Sequence, residues 1–279
     1  MPTFHSALKP SLMIAALSVT LAACSQVALP PVGTVAYGLD SSGQLVTFGL
    51  TNPSSSAVSK AITGLTNGDT LVDLDINPAN GALFAFASNG KAYTVDASTG
   101  VASLNTTPLV ALNTFKTDFN PAANRVRVFD NATGTYRLTV TPGTLPSGTV
   151  TPDGVLAYAA TDANAGKTPR LMGAAYDSSY LNSGSAPTLA SLYSVDAATG
   201  TLDLHTGGPT FNTLTTVGSL GVTLGSNVGF DIATVGGVNT AYLLNDRTLY
   251  TVDLSSGKAT QIGTLNNSLK ALAVTLSAP

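Results

Sequence analysis

Short apolar runs of roughly four to eight residues alternate with clusters of Gly, Asn, Asp, Ser, Thr and Pro along nearly the whole chain. Runs of that length, rich in Val, Leu, Tyr and Phe and bounded by turn formers, read as strands. No 3.6-residue period is sustained beyond the amino terminus, so helices are not expected in the body of the chain.

The pattern also repeats. Tyr93-Thr94-Val95-Asp96-Ala97-Ser98-Thr99-Gly100 recurs as Tyr193-Ser194-Val195-Asp196-Ala197-Ala198-Thr199-Gly200 and as Tyr250-Thr251-Val252-Asp253-Leu254-Ser255-Ser256-Gly257. Looser relatives are Val128 to Gly134 and Tyr37 to Gly43. Each joins a β-forming run to an Asp, whose carboxylate can bind nearby amides, and to a Gly suited to reversing the chain. A second unit precedes the first: L-V-D-L-D-I-N-P from Leu71, F-K-T-D-F-N-P from Phe115 and V-G-F-D-I from Val228, each followed by an apolar strand. The order is an Asp-bearing strand, a turn, an apolar strand, a D-x-x-T-G hairpin and a final strand. That is a four-stranded antiparallel meander, the blade of a β-propeller. The expected fold is therefore all-β, a propeller of five blades beginning near Val35, Leu71, Phe115, Met172 and Val228. The C-terminal strand Ala271 to Leu276 would complete the first blade and close the ring. The repeat is stretched between residues 140 and 190, where four to six blades or an open β-solenoid also fit.

The amino terminus follows different rules. Lys9 precedes an apolar run, Ser11 to Leu21, that is shorter than the roughly 20 residues of a spanning helix. Leu21-Ala22-Ala23-Cys24 then matches the lipobox of bacterial lipoproteins. The expected organisation is a signal peptide at 1–23, a lipidated Cys24 with a linker to residue 33, and the repeat domain at 34–279. This implies export and a lipid anchor in the cell envelope, at the outer membrane or cell surface, with the membrane as a partner through Cys24.

Composition narrows the chemistry. Once the leader is gone, 11 basic residues face 15 acidic ones, and no basic patch suggests nucleic acid. All 15 acids are Asp, and Cys24 is the one cysteine. His205 is the one histidine of the mature chain, on the polar side of L-D-L-H-T, where a surface or hydrogen-bonding role is expected. Thiolate and multi-histidine zinc sites are thereby excluded within one chain.

Three constellations remain. Arg125 and Arg127 share a strand face, with Arg137 on the returning strand roughly opposite Arg127. Such a cluster needs an anion. Asp118 or Asp130 could supply it internally, or the site, including Asp118, could hold a ligand carboxylate, phosphate or acidic sugar. Asp162-Ala163-Asn164-Ala165-Gly166 resembles the start of a calcium loop but has no acid to close it, so it reads equally as a hydrogen-bonded turn. Asp75, Asp118 and Asp231 fall one per innermost strand, where they could line the central channel, bind a cation or sugar hydroxyls, or cap amides.

Together, V-A-Y-G-L-D-S-S-G-Q-L (35–45), I-T-G-L (62–65), D-F-N-P-A-A-N-R-V-R-V (118–128), A-Y-A-A-T-D-A-N-A-G (157–166), G-A-A-Y (173–176), T-L-T-T-V-G-S-L-G-V (213–222) and G-F-D-I (229–232) resemble the uncharacterised bacterial domain family DUF4394 over nearly the whole mature chain. The resemblance implies a propeller-like, secreted or surface-attached protein and brings no activity with it. The expected function is a non-catalytic propeller binding a small molecule, glycan or envelope protein across one mouth of the ring. The alternatives are an envelope lyase or hydrolase using Asp with a metal, or a purely structural surface protein.

Overall fold

The computed structural model describes residues 1–3, 27–182 and 185–278; Cys24 and nearly all of the leader lie outside the described residues. Among the described residues, twenty-one strands and one four-residue helix, α1 (Pro53–Ser56), make up the regular structure. Five antiparallel sheets form the five blades of a β-propeller. Blade 1 holds β1 (Val35–Asp40), β2 (Gln44–Gly49) and β3 (Val58–Ala61). Blade 2 runs through β4 (Leu71–Ile76), β5 (Leu83–Ala87), β6 (Ala92–Val95) and β7 (Ala102–Thr106). Blade 3 is β8 (Lys116–Asn120), β9 (Arg125–Phe129), β10 (Gly134–Leu138) and β11 (Val150–Val155).

Blade 4 begins with a short outer strand, β12 (Ala157–Tyr158). It continues with β13 (Leu171–Tyr176), β14 (Leu192–Asp196), β15 (Thr201–Thr206) and β16 (Thr213–Ser219), beside which β12 lies parallel. Blade 5 comprises β17 (Val228–Val235), β18 (Val238–Asn245), β19 (Thr248–Val252) and β20 (Ala259–Thr264). The last strand, β21 (Leu269–Val274), pairs antiparallel with β1 and becomes the innermost strand of blade 1. The ring is thus closed by the two ends of the domain, as the sequence suggested.

The Asp-containing turns form as expected. Asp96 Oδ1 accepts from the Ser98 amide (2.8 Å) and hydroxyl (2.6 Å), and Asp253 Oδ1 binds Ser255 in the same way. Gly100 and Gly257 adopt φ of 78° and 79°, the left-handed conformation that a side chain resists. The placement of these turns is less regular than the sequence implied. Asp96 and Asp253 join the third and fourth strands of their blades, whereas Asp40, Asp130 and Asp196 join the second and third. The motif specifies a tight hairpin locally and carries no address within the blade. This is why the register blurred near residues 140–190.

Apolar side chains from facing blades fill the space between sheets. Phe84, Phe86 and Phe119, for example, meet edge-on or tilted between blades 2 and 3. Leu269, Ala271, Leu272, Ala273 and Val274 of β21 are all buried, so closure contributes core as well as hydrogen bonds. Leu272→Ala should cost about 2–5 kcal/mol and lower the melting temperature by roughly 5–15 °C. A chain ending at residue 268 should lose the cooperative melt in circular dichroism and elute as aggregate, because blade 1 would lack its inner strand.

Candidate functional site

The innermost strands β4, β8, β13, β17 and β21 each pair with one neighbour and turn their other edge to the central channel. Amides on that edge have no strand partner and must be satisfied otherwise. The Asp residues do this, each reaching to the next blade. Asp73 Oδ2 accepts from the Thr117 amide (2.7 Å), and Asp75 Oδ2 from that of Phe119 (2.5 Å). Asp118 Oδ1 accepts from the Tyr176 amide (3.0 Å), and Asp231 Oδ2 from that of Val274 (2.6 Å). One level of the ring reads Asp75, Asp118, Ala175, Asp231 and Ala273. Two residues earlier, the ring reads Asp73, Lys116, Gly173, Gly229 and Ala271. The strands approach so closely there that a Cβ on Gly173 would lie 2.6 Å from Cβ of Phe230, and one on Gly229 2.6 Å from the Leu272 amide.

Lys116 bars the channel at this second level. Its buried ammonium donates to the carbonyls of Val228 (2.7 Å) and Lys270 (2.6 Å) and lies 3.9 Å from Asp73 Oδ1. It thereby ties blade 3 to blades 5 and 1, while burial holds its pKa below the usual lysine range. Nothing in the repeat marked this residue, because only one blade carries a lysine here. Above the carboxylate level, a strap from the β13–β14 connection crosses the mouth. The Ser179 carbonyl accepts from Thr234 of blade 5, the Leu181 amide donates to Ser277 beyond β21, and Asn182 bonds the carbonyls of Pro78 and Pro121 in blades 2 and 3.

Between bar and strap, one carboxylate oxygen each from Asp75, Asp118 and Asp231 lies within 4.8 Å of the others, and all three side chains are buried. Opposed oxygens around a calcium ion span a comparable distance, so this trio could hold a cation. Burial, reinforced by the mutual repulsion of the acids, raises Asp75 and Asp118 well above the ordinary carboxylate range. Burial likewise raises Asp231 to about 6. Protons can therefore relieve the crowding of charge as well as a cation can.

The arginines converge on blade 3, but their anion is neither Asp118 nor Asp130. Arg127 faces Arg137 directly across β9 and β10. Asp153 of β11 lies between them, ion-paired to the buried Arg127 and gripped by Arg137 through Nε (2.7 Å) and Nη2 (2.6 Å). Pro152-Asp153-Gly154 reads as a turn in sequence; in the structure it is edge strand, with a bulge opposite Thr135 and Tyr136, where proline is tolerated. Arg127 also donates to Tyr176 Oη and to the carbonyls of Pro209 and Thr210, pinning a blade 4 loop. Asp118 instead turns inward to the channel. Arg125 stands apart, with Nη2 on the Arg137 carbonyl and Thr151 Oγ1.

His205 sits on β15 but is buried rather than on a polar surface, since blades cover one another on both faces. Its Nδ1 lies 2.8 Å from the Phe211 carbonyl and its Nε2 2.8 Å from Ser194 Oγ. Burial, with the Arg127 charge nearby, depresses it to about 4. Asp162 and Asn164 are engaged internally. Asp162 Oδ2 accepts from the Thr216 amide and Oδ1 from the Asn164 amide and the Thr216 hydroxyl, while Asn164 Oδ1 accepts from the Lys167 ammonium (2.8 Å). This set of bonds is that of an Asx loop fastening the β12–β13 connection to β16.

The raised acid and the depressed histidine make opposite contributions to stability. Asp231, raised from 3.8 to about 6, stabilises the fold fully below 3.8 and loses that contribution as pH rises through 6. His205, depressed from 6.5 to about 4, contributes fully above 6.5 and loses it as pH falls through 4. The two partly cancel between pH 4 and 6.5. Asp231→Asn should remove the first, so the variant should gain on the parent by on the order of 2–3 kcal/mol as pH rises across that window. Urea melts at several pH values measure this; a constant difference would assign Asp231 no share in the titration.

The fold has relatives among solved structures. A chain of a nidogen/laminin complex aligns with 88% of this chain and 100% of its own at a TM-score of 0.54 and 10% identity, a likeness of fold. Auxiliary nutrient binding proteins from Bacteroides thetaiotaomicron and Bacteroides ovatus align at TM-scores of 0.43 each. Their identities are 13% and 10%, over 88% of this chain and 64% and 62% of theirs. No match is found among curated proteins. The profile of a family described as a domain of unknown function, DUF4394, matches residues 44–274, from the second strand of blade 1 to the closing strand, and the chain belongs to that family.

Proposed function

We propose that this protein is an exported, lipid-anchored propeller that works by binding, taking a small molecule, glycan or protein partner at the mouth of its ring. One observation carries the reading. A cavity of about 440 Å³ opens beside the strap, walled by Tyr37, Ile76, Leu83, Val95, Leu181 and Leu276. Its volume falls within the roughly 300–1,000 Å³ of small-molecule sites, and its walls are mostly apolar with a phenol to orient a ligand. Blades 1 and 2 and the strap all contribute to it. The Tyr37 phenol, raised further by burial, supplies no acid or base near neutral pH. Neither His205 nor any of the strongly shifted Asp residues lines this cavity. The lipobox at Cys24 supports a membrane tether for the domain.

Two measurements test this reading. In a diderm host, Cys24→Ser should abolish palmitate labelling and move the protein from the membrane pellet to the soluble fraction. In saturation-transfer NMR with phenyl and alkyl glycosides, the parent should show transfer to the aglycone. Ala97→Phe, which fills the cavity from its rim, should remove that transfer at an unchanged melting temperature. Binding that ignores Ala97→Phe would displace the site from the mouth.

A further inference from the structure

Blade 3 carries a second cavity, of about 190 Å³, between the β8–β9 turn and the segment after β10, lined in part by Asn124, Arg125, Thr139, Thr141 and Leu145. It shares no lining residue with the mouth cavity. Both lie on the face that the strap crosses, because β8 ends there, β9 begins there and β10 ends there. Among the described residues, four buried side-chain polar atoms lack a hydrogen-bond partner, and three belong to residues that line this one small cavity: Asn124 Oδ1, Arg125 Nε and Thr139 Oγ1. Unpartnered buried polar atoms are costly and uncommon in folded proteins, so three around one hollow form a pattern.

Charge points the same way. Three guanidinium groups meet on this blade, and Asp153 is shared by Arg127 and Arg137. Among the described residues, Arg125 is within ion-pair distance of no carboxylate. Burial and the neighbouring Arg137 both weigh against its charge. An anion in the cavity would offset both.

We propose that this cavity binds a small hydroxylated carboxylate, the chemistry of a uronic acid at the end of an acidic glycan. The carboxylate meets Arg125, whose Nε–H is a donor without a partner. Asn124 Oδ1 is an acceptor and needs a hydroxyl donor, which the sugar ring supplies. Thr139 Oγ1 can serve as either donor or acceptor. One unmatched guanidinium balances one negative charge, which favours a monocarboxylate over a phosphate dianion. The Leu145 side chain offers an apolar wall to the carbon face of a sugar.

The test is isothermal titration of the intact lipoprotein in detergent with galacturonate and glucuronate, against galactose and inorganic phosphate. A uronate should bind at least about tenfold more tightly than either control. Arg125→Gln should weaken it about tenfold or more. Thr139→Val is the second variant. It keeps the shape, removes an unpartnered hydroxyl and should raise the melting temperature of the free protein while weakening uronate binding severalfold. Equal affinity for uronate and galactose, tighter binding of phosphate, or uronate binding indifferent to Thr139→Val would each overturn the proposal. The mouth cavity's response to Ala97→Phe is untouched by any of these results, so the two sites stand or fall separately.

Discussion

An inner strand of a propeller cannot be paired on both edges, and that constraint organises the centre of this molecule. Five such strands face a channel too narrow for further strands, each with amides and carbonyls that require partners. Water could satisfy them in a wide channel. Here the blades satisfy them for one another: Asp73, Asp75, Asp118 and Asp231 take amides of the following blade, and Lys116 takes two carbonyls across the ring. Because each bond crosses a blade boundary, it adds to the apolar packing and the outer hydrogen bonds that also join the blades. The acids accumulate more negative charge than Lys116 can balance, and raised carboxylate pKa values follow from that geometry.

This arrangement explains which parts of the molecule could be read from sequence. Strand alternation, D-x-x-T-G turns and the C-terminal closing strand are local or periodic features, and they led to the five blades. Asp75, Asp118 and Asp231 were recognisable as one per inner strand because the repeat aligns them. Lys116 was not, because it breaks the repeat, and its partners are backbone atoms 112 and 154 residues away. His205 was misplaced by the rule that alternate strand positions face water, a rule that fails where neighbouring blades cover both faces of a sheet.

The arginines show a similar division. Strand geometry brought Arg127 opposite Arg137, and the need for a counter-charge followed from Coulomb's law. The identity of the counter-charge did not follow. Asp153 comes from a Pro-Asp-Gly segment with every sign of a turn, and its place in an edge strand depends on a bulge that only the packed sheet displays. Once Asp153 is assigned, the cluster divides. Arg127 and Arg137 become structural, and Arg125 remains as the cation whose charge the fold leaves unmatched.

The same economy closes the axis of the ring. In many closed rings the axis is the natural site for a ligand, since every blade can contribute to it. Here the axis is crossed by Lys116 at one level and by the strap of Ser179, Leu181 and Asn182 at another, with the carboxylates between them. A molecule larger than an ion would have to break inter-blade bonds to enter. Among the open cavities, one lies beside the strap between blades 1 and 2 and one on blade 3. Their walls come from turns and strand ends, where sequence can vary without disturbing the channel. Inter-blade hydrogen bonds are thus concentrated at the axis, while open space lies toward the rim.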